Sequence, residues 1–333
     1  MKILVVPDSF KGTFAAAEVA AAIAGGIRST GASAEEMPVA DGGEGTEEIL
    51  GAALGAQRIF VSTVGPWRDP VSASYSLTSG GTAYINLAAA SGITLSAPGG
   101  RNPITADTYG TGLLMVDAIS RGAKQVVVAA GGSATTDGGA GACAAIADHG
   151  GLRDAQITVL SDVTTPFEDA AVVFGPQKGA TQHEITLLTE RLHTIAATLP
   201  KDPRGVPATG AAGGFSGGLW AQYDAQLRSG ADYVLDTIDF EAAISDADAV
   251  VVGEGRLDSQ TLQGKIISVI MARSGSVPIY AVVGSLTEDA PLDAFAQVLI
   301  ATDETRMRAA GAQIARAHAQ ATALPSDAKA SNR

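Results

Sequence analysis

One cysteine in 333 residues leaves no intramolecular disulfide to be made. That residue, Cys143, lies in a small-residue run, 140–146, that reads as a helix, so a buried inert thiol is expected rather than a nucleophile. Aromatic residues make up only 5% of the chain and the formal net charge is −13. A nucleic-acid surface needs basic residues and stacking rings, so no nucleic-acid partner is expected. No stretch is apolar and long enough to span a bilayer, so no membrane partner is expected either. No charged head with a cleavage site precedes the first strand at residue 2, and the cytosol is the expected compartment. The four histidines, His149, His183, His193 and His318, show no metal-ligand spacing. The P-loop pattern and the dinucleotide-binding glycine fingerprint are both missing.

What is present is an apolar strand running into a loop of glycine, acid and small polar residues, four times over. The loops are Asp8–Gly12 after Lys2–Pro7, Asp41–Thr46 after Met37–Ala40, Gly131–Gly139 after Val126–Ala130, and Gly253–Asp258 after Ala249–Val252. A continuous apolar run is expected of a parallel strand with helices on both faces. Open α/β sheets bind ligands in the loops at the carboxyl ends of such strands. Glycine admits close backbone approach to a phosphate, and carboxylates hold metals or take protons. The pattern points to an enzyme for an anionic substrate.

Apolar residues at 46% against 17% charged mark a globular chain, and its length sets two domains as the starting expectation. The first quarter reads as strand 2–6, helix 15–27, strand 37–40 and helix 46–54. The last third reads as strand 249–252, helix 260–273, strands 278–283 and 297–301, and helix 304–321. Five strands with intervening helices match a flavodoxin-like sheet. Between them, 58–95 carries alternating runs around a turn at Ser79–Gly81, a hairpin pattern. Helix 112–121, strand 125–130, strand 157–161 and helix 182–199 follow. Residues 200–218, with their prolines and glycines, read as a loop and hinge, and 325–333 as a disordered tail. The fold class is thus α/β. A flavodoxin-like parallel-sheet domain, 1–57 and 230–333, carries an inserted second α/β domain, 58–229.

Parallel strands force their following loops together, so Asp8, Ser9 and Lys11 are expected near Asp41 and Glu44, and near Glu254, Arg256 and Asp258. An aspartate at such a turn also caps the helix behind it, and both roles stand open for Asp8 and Asp41. Lys11 suits a phosphate or carboxylate contact, or a solvated surface. Gly131–Gly141 is the best phosphate cradle, since a glycine turn opening onto a helix offers N–H groups to an anion. Asp162 ends a strand, Lys178 is the one cation of a compact turn, and Lys265 lies within an expected helix, where it is readily solvated.

Eight segments then appear in order: Pro7–Gly12, Ala40–Thr46, Tyr109–Gly112, Gly131–Thr135, Asp137–Gly141, Phe174–Thr181, Gly210–Gly214 and Gly253–Asp258. Together they resemble the type I glycerate kinases of bacteria, over residues 1 to about 285. The resemblance implies ATP-dependent phosphorylation of D-glycerate, most often to 2-phosphoglycerate, with the active site in the cleft between two domains. The chain departs from that family in the brief 149–156 segment, in Thr136 for a common asparagine, in Leu113 for glutamate and in Ser161 for cysteine. On this reading Mg²⁺ falls to Asp41, Glu44 and Asp162. Lys11 and Arg256 neutralise phosphate or hold the substrate carboxylate, while Asp8, Asp137 or Asp258 takes the hydroxyl proton. Ser9, Gly42, Gly43, Gly131, Gly132, Ser133, Lys178 and Glu254 are expected to contact substrate or phosphate. The alternatives are a kinase for another small hydroxy acid or polyol, and a non-catalytic glycerate or nucleotide sensor. Association into a homo-oligomer is left open.

Overall fold

A computed structural model describes residues 1–259, 261 and 266–323; Lys265 and the 325–333 tail lie outside them. From the N-terminus run β1 (Lys2–Pro7), α1 (Ala16–Arg28), β2 (Ser33–Glu36) and α2 (Thr46–Ala53). Next come β3 (Gln57–Val64), β4 (Pro70–Leu77), β5 (Thr82–Asn86), α3 (Ala88–Ser91), α4 (Tyr109–Ser120), β6 (Gln125–Ala129), α5 (Ala140–Asp148) and β7 (Gln156–Leu160). They are followed by α6 (Ala170–Phe174), α7 (Gln182–Ala196), α8 (Ala211–Tyr223), β8 (Gln226–Arg228), α9 (Gly230–Thr237) and α10 (Phe240–Ile244). The described residues end with β9 (Ala249–Glu254), α11 (Ile266–Arg273), β10 (Ile279–Val283), β11 (Gln297–Ile300) and α12 (Glu304–Ala323).

These elements form two compact units, one of residues 1–40 with 234–333 and one of residues 41–233. Residues 41–57, which the sequence reading placed with the first strands, belong to the second unit, where α2 packs on β4 and β5. So do 230–233.

The first unit holds a five-stranded sheet in the order β11-β10-β9-β1-β2, parallel throughout. Counted within the unit, this is the flavodoxin-like order 2-1-3-4-5. β1, β9 and β10 are buried along nearly their whole length, which is why their sequences are unbroken apolar runs. The core gathers Ile3, Val5, Val19, Ile23, Val251, Val282, Met307 and Ile314 between the sheet and α1 with α12. The two helices meet backbone to backbone: a Cβ on Gly26 would lie 1.8 Å from the Arg308 carbonyl oxygen, and one on Gly311 2.1 Å from that of Ile23.

The expected strand at 37–40 is displaced. β2 is Ser33–Glu36, and beyond it only the Met37 and Val39 amides reach β1, at the carbonyls of Val5 and Pro7. β2 is the edge of its sheet, so it needs no apolar run, and Pro38 costs nothing where no neighbour awaits its N–H. Hydrophobicity pointed instead to the buried Val39 and Ala40.

The second unit is built on a six-stranded sheet, β3-β4-β5-β6-β7-β8. β3, β4 and β5 are antiparallel, as the alternating runs and the glycine turn predict, and β5 through β8 are parallel. Tyr75, Ile85, Leu114, Val126, Val128, Val159, Phe215 and Leu219 form its main core, and Phe167, Leu188 and Leu192 a smaller one under α6 and α7. The expected loop over 200–218 is irregular only to about residue 209; α8 follows, with left-handed φ at Ala212, Gly213 and Gly214. Gly217 and Gly218 are helical and buried. A Cβ on Gly218 would lie 2.0 Å from the Gly138 carbonyl oxygen, so these glycines serve close packing rather than a hinge.

Candidate active site

Three loops of the second unit close on one cavity of about 460 Å³. They follow residue 40, β6 and β7, and they pack main chain on main chain. A Cβ on Gly131 would sit 2.5 Å from the Gly43 Cα, and one on Gly230 2.3 Å from the Asp41 carbonyl oxygen. Gly42, at φ 85°, would place a Cβ 2.8 Å from the Gly230 Cα, so only glycine satisfies both the turn and the contact.

The loop after β6 is pinned from behind. The Ile93 amide donates to the Gly132 carbonyl (2.9 Å) and the Ala134 amide to the Ser91 carbonyl (2.9 Å). Among the described residues, no acceptor meets the amides of Gly131, Gly132 or Ser133, and all three residues line the cavity. Successive open N–H groups with one left-handed residue (Gly132, φ 71°) are an arrangement able to receive an anion.

Lys178 lines the same cavity. It ends a 3₁₀ turn, is 8% exposed, and donates from Nζ to the Thr135 carbonyl at 2.5 Å. Burial pulls its ammonium down to about 8, against the opposing charge of Asp137. Among the described residues no carboxylate pairs with it.

Asp41 and Asp162 stand on the cavity wall. Asp41 folds back to accept the Gly43 amide (3.0 Å). Asp162 accepts the amides of Gly230 (2.9 Å) and Ala231 (3.2 Å), capping α9. Burial, with the negative charge of Asp41 beside it, lifts Asp162 to about 6, although Ser229 and the two amides pull it down. Ile93, Val163, Phe174, Ala211 and Ala212 give the cavity an apolar wall.

Asp137 lies behind the cavity, out of its lining. Its Oδ2 accepts the amide and hydroxyl of Thr108 (2.9 and 2.8 Å) and the Gly141 amide (3.0 Å); its Oδ1 accepts the Gly139 amide (3.2 Å). Thr108 in turn accepts the Ala142 amide (3.0 Å), so the pair caps α5 and secures the start of α4. Burial raises the Asp137 carboxyl, with these hydrogen bonds opposing. An enclosed carboxyl with both oxygens engaged anchors a loop, and Asp137 does not line the cavity. Glu44 is exposed and does not border the cavity. Among the described residues no three His, Cys, Asp or Glu side chains converge as a metal cage, so Asp41, Glu44 and Asp162 are not assembled as a three-carboxylate group.

The remaining expected residues lie in the first unit, where the strand order reverses between β1 and β9. Asp8 follows β1, nearly buried, with its Oδ1 taking the Ser9 amide (2.6 Å) and its own amide on the Gly253 carbonyl (2.8 Å). Glu254 accepts the Thr261 hydroxyl (2.7 Å), which also receives the Asp258 amide (3.1 Å). Lys11 and Arg256 are exposed. A Cβ on Gly255 would sit 3.3 Å from the Phe10 Cα, so the two loops abut. Three acids, Asp8, Glu254 and Asp258, and two cations, Lys11 and Arg256, thus lie on the loops at the place where open α/β sheets bind ligands.

Sequence reasoning missed Thr108 and Asn86. Asn86 ends β5 and accepts the Glu47 amide (3.2 Å), a cap for α2, whose own N-cap, Gly45, has no side chain to offer. Thr108 stands at a helix N-cap position, a signal present in the sequence; its bond to Asp137, 29 residues away, is not.

A sequence model described as "Glycerate kinase family" matches residues 3–149 and 147–324. The chain belongs to the glycerate kinase family. It is 38% identical over 329 positions to a glycerate kinase of Bacillus subtilis, covering 87% of this chain and 86% of that one. It is likewise 38% identical over 330 positions to a glycerate 2-kinase of Escherichia coli, covering 87% and 86%. The crystal structure of a putative glycerate kinase 2 from Salmonella typhimurium LT2 superposes with a TM-score of 0.83 at 34% identity, over 97% of this chain and all of that one. This glycerate kinase family member is therefore an enzyme, a kinase, with the mixed α/β fold of its relative. Among its described residues no helix is long and apolar enough to cross a membrane.

Proposed function

We propose that the enzyme transfers the terminal phosphoryl group of ATP to a hydroxyl of D-glycerate, with Mg²⁺, to give 2-phosphoglycerate. The observation that carries this reading is the cavity of the second unit, where three open amides, a buried lysine and two carboxylates face one space. Phosphoryl transfer asks little covalent chemistry of a protein; it is promoted by positioning and by neutralising charge on the transferred group. The Gly131–Ser133 amides and Lys178 supply such neutralisation from fixed positions.

Asp41 and Asp162 fit Mg²⁺: it prefers oxygen ligands and takes one or two carboxylates with water and phosphate rather than a full protein cage. A divalent cation held by this pair would relieve the repulsion that helps lift Asp162. Bound there, the ion would screen phosphate charge. In the first unit Lys11 and Arg256 are assigned to the anionic groups of substrate and phosphate, with Ser9 and Glu254 as further contacts. Asp8 or Asp258 is assigned to the hydroxyl proton. Asp137 is assigned to holding the cradle in shape. The lone Cys143, its thiol pushed up to about 12 by burial, suits a reducing compartment, and we place the enzyme in the cytosol.

The test is ADP release from the purified protein with ATP and Mg²⁺, with and without D-glycerate, coupled to enolase. Glycerate-dependent ADP with immediate enolase turnover is expected. ADP without enolase turnover makes the product 3-phosphoglycerate, and no glycerate-dependent ADP rejects the reading.

A further inference from the structure

The cavity of the second unit offers more than a three-carbon acid can use. Every carbon of glycerate bears an oxygen, so the acid has no apolar face to lay against Ile93, Val163 and Phe174. A volume of about 460 Å³ falls in the range that encloses drug-sized ligands. A purine nucleotide carries each feature that this lining complements. Its base is planar and apolar on its faces, its phosphates are chains of acceptors, and it travels with a divalent cation.

We propose that this cavity is the seat of the magnesium nucleotide, held wholly within residues 41–233, and that the hydroxy acid is recognised elsewhere. The phosphates lie on the amides of Gly131, Gly132 and Ser133, with Lys178 completing the cradle. An ammonium has three protons to donate, and the Thr135 carbonyl takes one, so two remain for phosphate oxygens. Asp41 and Asp162 repel a bare polyphosphate and accept one that brings Mg²⁺. The base lies along Val163 and Phe174. This assignment rests on the kinase reading above, and it names which of the two ligands this cavity takes.

Titration calorimetry on the full chain tests it, with MgADP, ADP in EDTA, and D-glycerate offered separately. MgADP is expected to bind the wild type, and ADP in EDTA to bind at least tenfold more weakly, on the order of one lost charged contact. Lys178→Met removes the ammonium and Val163→Trp fills the apolar wall. Each is expected to weaken MgADP roughly tenfold or more while leaving D-glycerate binding within about twofold. Lys178→Gln, checked by thermal melt, replaces the methionine variant if that one does not fold. MgADP affinity unchanged in the folded variants, or a loss confined to D-glycerate, overturns the assignment, as does a folded wild type that binds no MgADP. Wild type that binds MgADP in this way but releases no glycerate-dependent ADP rejects the substrate reading and leaves the nucleotide seat standing.

Discussion

Burying an ammonium is costly unless something accepts its charge, and Lys178 meets one carbonyl and feels the charge of Asp137. As pH rises through about 8 its proton is lost, so affinity for phosphate groups should fall on the alkaline side in wild type. Lys178→Arg stays charged and should flatten that limb, read as MgADP affinity against pH. Stability runs the other way. The folded value lies below the usual 10.5 of a lysine, so between about 8 and 10.5 the unfolded chain holds more protons, and the burial penalty of Lys178 is relieved as pH rises across that window. Asp137 was legible as a loop acid but not as a buried anchor, because its partners Thr108 and Gly141 are brought to it only by the packing of α4 on α5. Asp137→Ala strands buried donors and should cost about 3 kcal/mol or more, seen as a lower urea midpoint; Asp137→Asn, which keeps an acceptor, should cost less. A turnover loss in a fully stable Asp137→Ala protein would return this residue to the chemistry.

At the scale of elements, the long apolar strands β1, β6, β9 and β10 and the periodic helices were readable, because burial on both faces leaves no alternative composition. Edge strand β2 was not, since half of its surroundings are solvent. Glycines misled in α8, where composition suggested a hinge and close packing is the reason for them. The same device joins α1 to α12. Gly311→Val has nowhere to place its side chain and should cost about 3 kcal/mol by overpacking, measured as a drop in thermal midpoint. Helix α2 depends on a cap from another strand, and Asn86→Ala should destabilise it by about 1–2 kcal/mol, because the buried Glu47 amide then loses its acceptor.

For the whole molecule, each of the two units has its own sheet and its own core. The second is one continuous stretch, so a fragment of residues 41–233 should fold by itself, with a single cooperative unfolding transition by circular dichroism. A fragment that shows no cooperative transition would make its stability dependent on the rest of the chain. The sequence by itself determined the α/β class, the flavodoxin-like strand inventory, the insertion and the family, because strand burial and loop chemistry are local and leave their mark in consecutive residues. The unit boundaries, the open amides of Gly131 to Ser133, the burial of Lys178 and the retreat of Asp137 behind the cavity were decided only by tertiary structure. Each depends on which distant groups meet, and on whether water or protein surrounds them.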